Sequence, residues 1–533
     1  MNQVNVALLL KGQPHLVYGG NRMALVQVEQ WNKIDIQLEG QASKDAYVKV
    51  KLEAEFVKDN ISVKVVGYYV GGGKYILRFM PEELGEWTYT TSSNDLQLND
   101  QSGSFQCVEA TGSNRGPVRV RDQFHFAYAD GSPYFPFGTT CYAWIHQSLK
   151  LQEQTLETLK KASFNKLRMC VFPKYYSNNA SDPDMYPFVQ REDGSFALGE
   201  FNPAFFDHLD KRVEELMAMG IEVDLILLHP YDKGHWGFDR MTHEEDKRYL
   251  SYIVARYSAY RNIWWSMANE YDYMEEKTLE DWQAYIECVA KQDPHDHLLS
   301  IHQGDAFFNN FNPYITHSCV QLGTLKNDVG IGFGVYKAHR DIFGKPVTFD
   351  EVGYEGNLMQ RWGRNTAQEL VDKYWMAVVS GVYMGHGETY QDPEDVIWWA
   401  KGGILKGESP DRIAFLKDII ESSGLNGLNP IDKWWIINGA GSNGNYYLFY
   451  FGQEALNQWK FELPAFMIES EIVVGSKFKV DIIDTWNMTI TPVDGVFEIT
   501  EKDRYSHMSG NRPYVELPGK PSMAIRVTKV VEA

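Results

Sequence analysis

Two short acidic motifs, Asn269-Glu270 in SMANEYD and Asp350-Glu351 in TFDEVGYEG, carry the residue types needed to cleave a glycosidic bond. One carboxylic acid can protonate the leaving oxygen while a carboxylate attacks the anomeric carbon. A gap of about 5 Å between the two gives a covalent intermediate and retained configuration, whereas a wider gap leaves room for water and gives inversion. Each motif closes an apolar run, 262–270 and 346–351, with Trp264, Trp265, Tyr271 and Tyr354 close by in sequence. A single Glu near a loop is ordinarily a solvated or salt-bridged carboxylate. Two separate strands that each end in Glu favour the chemical reading, because strand ends of a barrel are where catalytic groups collect.

The elements that must bring these residues together lie between about 134 and 423. Short apolar runs at 134–143, 164–173, 221–230, 262–270, 298–304, 315–323, 346–351 and 382–388 alternate with amphipathic segments. Those segments predict helices over 152–163, 203–219, 243–260, 279–291, 335–343, 366–380 and 410–422. Eight βα units of this size predict an α/β fold, a (β/α)8 TIM barrel, with its site at the C-terminal ends of the strands. Residues 25–109 read instead as alternating segments parted by turns (KIDIQL, ISVKVVGYYV, then Gly71-Gly72-Gly73), and so do the residues after Gly424. Both stretches predict β-sandwiches. The expected division is 1–112, 113–423 and 424–533.

Composition narrows the function class. With 51 Lys and Arg against 71 Asp and Glu, the net charge of −20 repels a phosphate backbone, so nucleic acid is not an expected partner. No run approaches the ~20 apolar residues of a membrane helix, and the apolar run at 6–10 is short and lacks a basic segment before it, so neither a membrane partner nor an export signal is expected. Five cysteines without a CxxC pair fit reduced, packed thiols, which points to the cytoplasm. Aromatic residues reach 14%, including 15 Trp and 31 Tyr, and flat aromatic faces suit the C–H faces of sugars as well as core packing.

Further candidates follow from the strand ends. His229 and Trp236 follow strand three as pocket residues, and Trp144 and His146 follow strand one. Gln303 ends strand five, His317 and Gln321 lie on strand six, and His386 and Glu388 end strand eight, each able to meet a hydroxyl. Glu355, in the loop after strand seven, either binds a sugar hydroxyl or caps that loop. The 229–235 segment lacks HExxH spacing and a third ligand, so no metal and no cofactor are expected.

With Asn-Glu ending strand four and Glu ending strand seven, the chain resembles the clan A retaining glycoside hydrolases, and its barrel resembles the apiosidase-like catalytic domain. WNKIDIQLEG and VGYYVGGGKYILRFMPEELGEWTYTT resemble the Ig-like domain that precedes such barrels. IIDTWNMTI and LPGKPSMAIRV resemble the sandwich that follows them. The resemblance implies Glu270 as general acid/base, Glu351 as nucleophile, Asn269 at the sugar 2-hydroxyl, and Arg168 as the cation that keeps the nucleophile ionised. Two departures are that Asp350 adjoins the nucleophile position, and that strand eight ends His386-Gly387-Glu388 without an aromatic. The leading expectation is a retaining, exo-acting glycosidase acting on a carbohydrate or glycoside, its cleft partly walled by the N-terminal sandwich. The alternatives are a non-catalytic sugar-binding protein and a metal-dependent barrel hydrolase.

Overall fold

Runs that are buried along their whole length become the staves of a parallel barrel, because helices cover one face and packed side chains fill the other. The computed structural model describes residues 25–322, 329–394, 396–431, 436, 438–442, 444–465 and 472–531, so the apolar run at 6–10 and the end of the expected sixth strand at 323 lie outside the described residues. The staves are β1 (Phe137–Thr140), β2 (Lys166–Cys170), β3 (Glu222–Leu228), β4 (Ile263–Ala268), β5 (Leu299–Ser300), β6 (Ser318–Gln321), β7 (Val347–Glu351) and β8 (Tyr383–His386). They run β5-β4-β3-β2-β1-β8-β7-β6, every neighbouring pair parallel. A parallel bridge between His302 and Cys319 closes the ring between β5 and β6, helped by Thr316 N–H donating to the Leu299 carbonyl at 2.9 Å.

Helices follow seven of the eight strands: α1 (Leu149–Lys161), α2 (Pro203–Ala218), α3 (His243–Tyr257), α4 (Leu279–Gln292), α5 (Val329–Phe343), α6 (Ala367–Val379) and α7 (Ser409–Glu421). Thr242 with Glu245, Thr278 with Asp281 and Thr366 with Glu369 form capping boxes that start α3, α4 and α6. The fifth of the eight expected units is incomplete, since residues 301–317 join β5 to β6 without a helix.

β-rich regions flank the barrel on both sides. At the N-terminal side a five-stranded sheet, ending on a parallel pair (Gln27–Glu29 with Ser102–Val108), faces a three-stranded one over Leu52, Phe56, Leu77, Phe79, Trp87 and Phe105. The chain changes sheets at Gly67, where a Cβ would stand 2.6 Å from Leu52 Cδ2. Arg78, 5% exposed and paired with Asp35 of its own region, ties that region to the barrel through Asp210 and Tyr260. At the C-terminal side, antiparallel strands including Tyr446–Tyr450, Lys477–Asp484 and Met523–Lys529 enclose Phe449, Phe461, Phe478 and Phe497. Arg412 of α7 lies over Trp486 there, 3.7 Å from the ring centre. All five cysteines are free thiols, four of them buried. Among the described residues no helix is long and apolar enough to cross a membrane.

Candidate active site

The C-terminal ends of the strands open into a cavity of about 660 Å³. Asn269 and Glu270 follow β4, Glu351 ends β7, and all three line it. Alternation along β7 separates the two acids of the Asp-Glu pair. Asp350 faces the barrel interior, where Lys166 (2.9 Å), Thr348 (2.7 Å) and Cys319 (3.1 Å) hold it, and Lys166 and Arg168 outweigh burial to keep it ionised far below the usual carboxylate range. Glu351 faces the cavity. Its Oε1 accepts from Tyr142 Oη and stands 3.4 Å from Arg168 Nη1.

Glu270 sits differently. Its backbone is left-handed (φ +52°, ψ +58°), a conformation L side chains seldom adopt, and the residue is 6% exposed. Tyr231 Oη and Asn269 Nδ2 (3.1 Å) donate to Oε2, and Gln321 Nε2 (3.1 Å) donates to Oε1. Burial, then the charge of Glu351, push its pKa up from 4.5 to about 8. The pair is thus split in environment: one carboxyl holds its proton at neutral pH, while the other is paired with a guanidinium.

Residues 121–418 match the family described as the apiosidase-like catalytic domain. The chain belongs to that family. Residues 27–94 and 434–528 match two domains of unknown function, DUF5060 and DUF5605. A crystal structure of a candidate glycoside hydrolase from Bacteroides vulgatus ATCC 8482 is 39% identical, with a TM-score of 0.89, over 95% of this chain and all of that one. A glycoside hydrolase family 5 structure from the same organism shares the fold at 15% identity and a TM-score of 0.56, over 78% of this chain and 94% of that one. No curated protein matches.

Within this apiosidase-like barrel, Gln303, Gln321 and Tyr354 also line the cavity. Most of the other expected residues do not. Trp144 and His146 turn inward after β1, Trp144 wholly buried against Met169 and His146 half-buried on Phe205 with both ring nitrogens shut from solvent. His229 bonds the Phe172 carbonyl and Trp236 bonds Asp182, so the 229–235 segment splits between core and surface. Among the described residues no group of three or more His, Cys, Asp or Glu is arranged to hold a metal ion. His317 precedes β6, at the opposite end of the barrel, packed on Phe126 and Trp264. His386 bonds Thr139 under Phe164. Burial drives the pKa values of His146, His229, His317 and His386 down to about 3, so all four are neutral packing groups. Glu355 and Glu388 cap a loop instead: Glu388 accepts from the Lys406 and Gly407 N–H groups, Glu355 from those of Glu408 and Ser409. Unpaired N–H groups at the start of α7 select carboxylates there.

That capped loop supplies what strand eight itself lacks. Trp399 reaches the cavity beside Tyr142 (ring centres 5.5 Å apart), Tyr176 (5.6 Å), Tyr354 (5.9 Å) and Trp362 (5.0 Å). Among the described residues the N-terminal β-rich region contributes none to the cavity lining; it packs on α2 and α3.

Proposed function

We propose that this apiosidase-like protein is a retaining glycoside hydrolase that removes a terminal sugar, with Glu270 as general acid/base and Glu351 as nucleophile. The observation that carries the reading is two glutamates facing one aromatic-walled cavity in opposed settings, Glu270 with its pKa pushed up by burial and Glu351 paired with Arg168. Glu270 would give its proton to the leaving oxygen. Glu351, oriented by Tyr142 and Arg168, would attack the anomeric carbon, and Glu270, then ionised, would activate the water that releases the sugar. Asn269 sits between the two acids, its Oδ1 3.4 Å from Arg168 Nη1, where a 2-hydroxyl would lie. Trp399 and its neighbours offer faces for the sugar ring.

The experiment is hydrolysis of a panel of nitrophenyl α- and β-glycosides, pyranose and furanose, by wild type, Glu270→Gln and Glu351→Gln. Proton NMR of the first product then reads the anomer. The reading expects turnover of at least one glycoside, lost in Glu351→Gln and cut to a small residual rate in Glu270→Gln, with the anomeric configuration of the product unchanged. Inverted product would refute the covalent step, and undiminished hydrolysis in either variant would refute the assignment of that residue.

A further inference from the structure

Lys174, in the loop after β2, lines the cavity and is only 2% exposed. A buried lysine ordinarily has a carboxylate partner. Here three phenol faces surround the ammonium instead: Tyr142 at 3.4 Å from the ring centre, Tyr231 at 4.4 Å and Tyr176 at 5.7 Å. Two of these rings carry the hydroxyls that donate to the two glutamates, Tyr142 to Glu351 and Tyr231 to Glu270. A cation against a phenol face fixes the ring plane by its attraction to the π cloud. It also draws electron density from the ring, which makes the O–H a stronger donor. One ammonium therefore acts on both hydrogen bonds at once.

We propose that Lys174 is a positioning residue that holds Tyr142 and Tyr231, and through them the carboxylates of Glu351 and Glu270, in working register. The inference rests on the roles given above to those glutamates. Burial lowers the lysine pKa, while Cys170, Glu270 and Glu351 favour its charged form. Gln321 and Asn269 hold Glu270 from its other sides, and Arg168 holds Glu351, so the lysine tunes contacts that are already made and does not create them.

The test is a double-mutant cycle in the full chain, Lys174→Met, Tyr142→Phe and both together, on a glycoside the wild type hydrolyses, with unfolding midpoints recorded for each. Lys174→Gln repeats the cycle should methionine prevent folding. A lysine acting through the tyrosine lowers kcat roughly ten- to thirtyfold with KM within about threefold. The double variant is then no slower than about threefold below the slower single one, because the lysine has lost the Tyr142 hydroxyl it acts through and keeps only its hold on Tyr231. Losses that multiply, or a rise in KM at constant kcat, would overturn the proposal and make Lys174 a direct substrate contact. Hydrolysis by wild type and Lys174→Met alike would refute this inference alone. A wild type silent on every glycoside would remove the parent reading and this one with it.

Discussion

Arg168 and Glu351 form a buried ion pair at the cavity floor, Nη1 to Oε1 3.4 Å, with the arginine side chain 1% exposed. Arg168 also stands 3.6 Å from Asp224 and within reach of Asn269, so its guanidinium is fixed before any substrate arrives. Arg168→Met should leave Glu351 with Tyr142 as its main support and lower kcat/KM by about a hundredfold on nitrophenyl substrates. A loss below about threefold would mean that the pair is structural only.

The raised pKa of Glu270 sets a pH profile. A general acid works while protonated, so activity is present below about 8 and lost as pH rises through that value. Measured kcat/KM between pH 5 and 10 should show an alkaline limb near pH 8. On a substrate with a strongly activated leaving group, the residual rate of Glu270→Gln should lack that limb; a limb that persists would assign the proton elsewhere.

Trp399 gives a binding prediction. Trp399→Ala should raise KM by roughly tenfold and lower kcat less, because the indole face is lost while Glu270 and Glu351 keep their partners; Trp399→Phe should recover part of the loss. Equal KM values for wild type and the alanine variant would move the sugar away from this wall.

Arg78 tests the attachment of the N-terminal β-rich region. Arg78→Met leaves Asp35 and Asp210 without their shared cation and should lower the unfolding midpoint by about 5 °C or more. Arg78 outweighs burial to hold the Asp35 pKa at about 2, so this contribution is present above about 4 and lost as pH falls toward 2. Since that region lines no part of the cavity, kcat/KM should stay within about twofold of wild type.

The barrel and the two glutamates were legible because their signals are local. Predominantly apolar runs mark staves, and a carboxylate that closes such a run is out of place unless it is used. The walls of the cavity were not legible, because they depend on where loops return. Trp399 lies after strand eight, beyond any strand end that spacing can mark, and it is held at the site by Tyr142 N–H, which donates to its carbonyl, while Glu355 and Glu388 gather the residues behind it. Tyr142 reads as part of the first apolar run, and Lys174 and Tyr231 as ordinary loop residues, until their shared contact is seen. His317 shows the opposite error. It lies within the expected run 315–323, but the strand that forms begins only at Ser318, which leaves His317 at the N-terminal end, away from the site.

The left-handed backbone at Glu270 has a price in heat resistance. Glycine at 270 would relax that strain, and would also remove a carboxyl that is buried beside a second one. Glu270→Gly should therefore melt above wild type while hydrolysing nothing. Directed evolution for thermal endurance alone would drift toward this inert form, and only a selection that also demands turnover would keep the glutamate.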